Sequence, residues 1–225
     1  MKGFTNYELL NYHITQSPYY QITQLPNYLI TTHKTRRIKM QARKLIFILV
    51  ITILITTNLS IASKFHAKQP ILITAAGQGP DVTMAKILCQ KAGLKFTFDK
   101  LAKPDQLKNH ATLILVTGAS SKGLGAANID KDQEFSRVQT LIKSAQQAKM
   151  TIITMHIGGP SRRGKLSDDF NKITTKNTHC LIIEKSGNTD KFFSKIATER
   201  KIPVYLIDKK LDAIDILKQI FTEKK

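Results

Sequence analysis

Acidic side chains are scarce. The 225 residues hold 16 Asp and Glu against 35 Lys and Arg, a formal net charge of +19. The imbalance is not a tail effect: residues 1–63 carry 7 basic and 1 acidic side chain (+6), leaving 28 minus 15, or +13, for residues 64–225. A basic surface spread this way is either a lysine-rich solvated face or a meeting place for nucleic acid, anionic lipid or acidic small molecules. The nucleic-acid option lacks its usual parts. There is no aromatic-bearing RNA-recognition pattern, no Cys/His finger and no long Lys/Arg cluster, so no nucleic-acid partner is expected. Cysteine is nearly missing too. Cys89 and Cys180 lie far apart in apolar surroundings, which reads as two buried free thiols. The six histidines show no His-x-x-x-His spacing, and no Cys-x-x-Cys occurs, so no metal site is expected.

One long apolar run is present, at 45–61, behind Arg43 and Lys44 and followed by the small-x-small triplet Ser60-Ile61-Ala62. A positive stretch, an apolar stretch and a small-residue site are the parts of a signal peptide, here starting at Met40 and covering 40–62. Residues 1–39 show no heptad, alternation or capping signal and read as a disordered extension before the true start. If Met1 is the start, the run becomes a membrane signal anchor, with the basic residues between Lys34 and Lys44 held in the cytoplasm. Both readings place residues 64–225 outside the cytoplasmic membrane, secreted, cell-surface or anchored, with membrane contact only through the apolar run.

From residue 70 to 222 apolar runs alternate with helical patterns. Strands are predicted at 71–75, 94–98, 111–116, 151–157, 179–183 and 203–207, and helices at 80–92, 132–149, 167–174, 190–201 and 211–221. The clearest helix places Phe135, Val138, Leu141, Ile142, Ala145 and Ala148 on one face. Repeated βα units specify a single α/β domain, a parallel sheet between two helical layers. The expected strand order is flavodoxin-like, 2-1-3-4-5 with the sixth strand at the edge; a Rossmann-like order is the alternative.

The stretch "LVTGASSKGLGAA" (115–127) imitates the nicotinamide-binding loop of short-chain dehydrogenases. It carries one residue too many before the second glycine, follows the third strand instead of the first, and five residues, 126–130, separate it from the helical periodicity. A Tyr-x-x-x-Lys pattern exists at Tyr205 and Lys209, but Tyr205 falls in a strand, where residues four apart stand roughly 13 Å from each other. A Walker loop, a Gly-x-Ser-x-Gly elbow and a receiver aspartate after the third strand are also missing, so no cofactor is expected.

Nine of the 11 glycines fall in the loops at the carboxyl ends of the strands, where open parallel sheets bind ligands. The candidate binding residues there are Gln78, Ser120, Ser121, Lys122, His156, Arg162, Arg163 and Asn188. Ser120, Ser121, Lys122, Arg162, Arg163 and the start of the helix at Pro80 are expected to surround one anion-binding crevice. His156 is either a structural hydrogen-bonder or an acid–base catalyst with Asp81 or Asp190. Three functions stay open: small-anion binding or sensing, hydrolysis or group transfer through His156, and a structural or partner-binding role.

The signatures "ITAAGQGPD", "SSKGLGAANID", "MHIGGPSRRGKLSDDF", "EKSGNTDKFFSKIA" and "IPVYLID" resemble those of a family of exported bacterial proteins known as a domain of unknown function, DUF6305. The resemblance covers 70–221 and implies an exported α/β domain; it implies no activity.

Overall fold

The computed structural model describes residues 43–44 and 65–222. The extension 1–39 and the expected signal or anchor segment therefore lie outside the described residues, apart from Arg43 and Lys44. No helix among the described residues is long and apolar enough to cross a membrane. The fold is that of the unit Ser63–Lys225.

Six strands, β1 (Ile71–Ala76), β2 (Phe96–Phe98), β3 (Thr112–Thr117), β4 (Thr151–His156), β5 (Cys180–Glu184) and β6 (Val204–Ile207), form one all-parallel sheet in the order β2-β1-β3-β4-β5-β6. This is the flavodoxin-like order with the sixth strand at the edge. Strands β1 and β3 are buried at all six positions each and apolar except for Thr74, Thr112 and Thr117, as strands covered on both faces tend to be.

Six helices cover the sheet: α1 (Asp81–Lys91), α2 (Ser121–Ala126), α3 (Lys131–Gln147), α4 (Asp168–Lys176), α5 (Phe192–Arg200) and α6 (Ala213–Phe221). Alternation along each strand divides the core. Ile71, Ile73, Ile114, Val116, Ile153 and Ile182 pack against Val82, Ala85 and Leu88 of α1 and Leu217 and Ile220 of α6. On the other face Leu72, Leu113, Leu115 and Ile152 meet Val138, Leu141, Ile142 and Ala145 of α3, with Phe170 of α4. Leu181 and Ile183 meet Phe193 and Ala197 of α5. Both cysteines are free and buried, and burial pushes both thiols up, Cys89 to about 12.

Two expectations need correcting. Residues 121–126 are not loop: Ser120 caps α2 by accepting a hydrogen bond from the Gly123 N–H at 3.2 Å, so Gly123 and Gly125 are helical. The α3 face also includes a charge the periodicity did not foresee. Glu134 is fully buried beside Val138 and Leu141, whereas Ala148 is exposed.

Candidate functional site

The order β2-β1-β3 means that the chain leaves β1 toward one side of the sheet and later builds β3 on the other. Connections diverge there, and a crevice opens beyond the strand ends. In this protein a depression of about 540 Å³ lies there, lined by Gln78, Gly79, Pro80, Lys100, Leu101, Ser120, Lys122, Gly123, Ala126, Ala127 and Arg162. Three cations stand in this lining and no carboxylate does. Lys100 and Lys122 are exposed and take part in no ion pair among the described residues. Pro80, Leu101, Ala126 and Ala127 supply an apolar floor and wall.

The walls are tied down from behind. Glu134 reaches under the loop after β1, where its Oε1 accepts from the Gly77 N–H at 2.9 Å and from Gln78 Nε2 at 3.0 Å. Arg137 donates to Glu134 through Nε at 2.7 Å and Nη2 at 2.8 Å. The same guanidinium donates to the Ala75 carbonyl at 2.6 Å and the Ala102 carbonyl at 2.8 Å. Gln78 Nε2 also donates to the Lys100 carbonyl at 3.0 Å. One buried ion pair therefore fixes the end of β1, the Gln78 loop and the Lys100 loop together. Gln78 itself is held at φ +57° and buried, with its Nε2 committed to Glu134 and to the Lys100 carbonyl.

Several glycines are explained by backbone meeting backbone. A Cβ on Gly79 would stand 2.5 Å from the Gly118 carbonyl oxygen, and one on Gly123 would collide with the Gln78 carbonyl oxygen. Only glycine lets α2 and the two loops pack this closely. Gly118, at φ +133°, makes room for the Arg162 side chain, whose Cβ would be 2.8 Å from an added Cβ.

The remaining expected site residues separate. Arg162 stays at the depression, its Nε donating to Asp81 Oδ2 at 3.0 Å and its Nη1 to the Ala119 carbonyl at 3.3 Å. Arg163 turns away: it donates to Asp168 Oδ1 at 2.9 Å and Asp190 Oδ2 at 2.8 Å and lies 4.7 Å from the Phe192 ring centroid. Those hydrogen bonds, Asp190 first, raise the Arg163 guanidinium further, and the bond from Arg163 draws Asp190 down to about 2. Ser121 does not line the depression. Asn188 is a cap: its Oδ1 accepts from the Phe193 N–H at 3.0 Å and its Nδ2 donates to Ser194 Oγ at 2.7 Å.

The start of α1 does not offer the free N–H groups expected of it. The Val82 and Thr83 N–H groups donate back to the Gly79 and Pro80 carbonyls at 3.4 and 3.0 Å. Asp81 already supplies a carboxylate in that first turn. Burial, the largest influence on Asp81, acts to raise it, but the hydrogen bonds from Lys210 and Arg162 together outweigh burial and hold it below its ordinary value.

His156 is fully buried and has no carboxylate partner. Its Nε2 stands 3.1 Å from the Arg162 carbonyl, an acceptor only, so the ring proton sits on Nε2. Nδ1 is buried without a partner, against Gly187, where an added Cβ would come within 2.9 Å of it. The ring packs on Phe193 at 4.6 Å between centroids. Burial, above all, lowers its affinity for a second proton. This is a neutral structural histidine, and the pairing with Asp81 or Asp190 that acid–base catalysis needs is not formed. Tyr205 lies in β6 while Lys209 lies beyond it, which separates the imitation dehydrogenase pair.

Sequence reasoning missed Lys100, Glu134 and Arg137, and, though it named Asp81 and Arg162 separately, it did not bring them together with Lys210. Glu134 left a trace, as an acidic side chain one residue before the apolar stripe of α3 that begins with Phe135.

Fold and site together define a doubly wound α/β domain with a cationic crevice at its topological switch point. The chain belongs to the family described as Domain of unknown function (DUF6305), which matches residues 68–221. No curated protein matches it.

Proposed function

We propose that the protein is an extracytoplasmic binding domain for a small organic anion, held in the depression between the loop after β1 and helix α2. What carries this reading is the lining: Lys100, Lys122 and Arg162 without a carboxylate, over an apolar floor of Leu101, Ala126 and Ala127. A carboxylate or phosphate group would pair with the lysines, and a short apolar body would lie on the floor. The extracytoplasmic location rests on the apolar run 45–61 and the small-residue site at 60–62.

Thermal unfolding in the presence of inorganic phosphate and of short mono- and dicarboxylates tests the reading. A ligand at a hundred times its Kd adds about 2.7 kcal/mol, which for a domain of this size raises Tm by about 5–11 °C. Lys100→Ala and Lys122→Ala each weaken binding about tenfold, and the double variant loses the response. Arg163→Ala, away from the depression, retains it. An unchanged response in the double variant removes the site from this crevice.

A further inference from the structure

We propose that the end of the domain formed by the amino ends of the strands docks onto an anionic lipid surface. In a parallel βα domain the helix that leads into each next strand returns to that end, so, α2 apart, the helix C-termini and the residues leading into the strands lie together there. The chain sets cations at these places. Lys91, Lys176 and Lys218 occupy last turns of α1, α4 and α6; Lys149 and Lys201 follow α3 and α5; Lys95 precedes β2. All six are exposed. Glu199 is the carboxylate at this end among the described residues, while Asp81, Asp132, Asp168 and Asp215 sit in first turns, at the opposite end.

Ion pairing divides the same way. The acidic partners in the salt bridges are Asp81, Glu134, Asp168, Asp169, Asp190 and Asp208, and none of the six lysines takes part in one among the described residues. Helix dipoles account for cations in a last turn. They do not account for Lys149 and Lys201, each at φ +54° just past a helix, a place glycine or asparagine fills at less conformational cost. Retaining a long cation there puts charge on this end beyond what capping needs.

Lipid is the partner because of where the chain enters. The Ala67 N–H donates to the Ile220 carbonyl at the close of α6, at 2.9 Å, so the polypeptide arrives at the basic end. In sequence the apolar run 45–61 stops four residues before Phe65. Lysines near an anionic bilayer each strengthen attachment about fivefold.

Lysine acylation of the full chain, read by mass spectrometry, tests this. The chain is labelled with phosphatidylcholine vesicles, with vesicles containing phosphatidylglycerol, and with duplex DNA. Phosphatidylglycerol alone should suppress labelling of Lys149, Lys176, Lys201 and Lys218, while Lys103 and Lys165 at the other end label equally in every arm. Salt at about 1 M, where screening shortens to about 3 Å, should restore labelling. Equal labelling of the four lysines on both vesicle types overturns the proposal, as does suppression at both ends or suppression that survives salt. Suppression by duplex DNA as strong as by phosphatidylglycerol overturns the assignment to lipid.

Discussion

Removing the Glu134 carboxylate should destabilise the domain more than any other single change at the crevice. Glu134 is fully buried and accepts four hydrogen bonds, from the Gly77 N–H, Gln78 Nε2 and two nitrogens of Arg137. In Glu134→Ala the Arg137 side chain, only 13% exposed, keeps its charge without a counterion, and the Gly77 N–H loses its acceptor. Breaking a buried pair from one side costs about 3–5 kcal/mol, which for a domain of this size lowers Tm by about 6–20 °C. Replacing both partners removes the uncompensated charge, so Glu134→Leu/Arg137→Met should lie closer to wild type than Glu134→Ala does. Urea denaturation of wild type, both singles and the double, with the slopes compared, measures this coupling directly. A loss below about 1 kcal/mol in Glu134→Ala would refute the idea that this pair holds the crevice walls.

Two glycines of α2 should behave oppositely. Gly125 has open space around a would-be Cβ, so Gly125→Ala should stabilise by about 0.5–1 kcal/mol. Gly123→Ala collides with the Gln78 carbonyl and should lower Tm when both variants are compared with wild type by scanning calorimetry. Acid should also act through His156. Its folded-state pKa is lowered from 6.5, so below about pH 6.5 the unfolded chain takes up a proton that the folded one refuses. Stability should fall with pH from there by at most about 1.4 kcal/mol per unit, and His156→Gln should flatten that slope in urea titrations between pH 7 and roughly 5.

The layout of the fold was legible because its signals are local and repeated. The largely apolar runs of β1 and β3 mark strands buried on both faces, and the 135–145 stripe marks α3. The α2 helix escaped because "SKGLGA" carries two glycines and no periodic face; it is held by the Ser120 cap and by contact with the Gln78 loop, which is tertiary information. The site was legible only in part. Its position followed from strand order, and Gln78, Ser120, Lys122 and Arg162 do line the depression. Adjacent Arg162 and Arg163 look alike in sequence, yet the backbone turns one toward Asp81 and the other toward Asp190, 109 residues apart in the chain. No local pattern encodes which carboxylate each will find. The two readings of His156 stayed open for a related reason: the ring at a strand end faces inward onto Phe193, and that orientation is set by packing against α5.

The most direct test of the cationic crevice is a backbone amide shift map recorded while the protein is titrated with inorganic phosphate and then with a short dicarboxylate. The account predicts saturable shifts confined to Gly79, Lys100, Leu101, Ser120, Lys122 and Gly123, around the depression between β1 and β3. Shifts that grow without saturation, or that centre on Arg163 and Asp190 or on the helix C-termini, would contradict it.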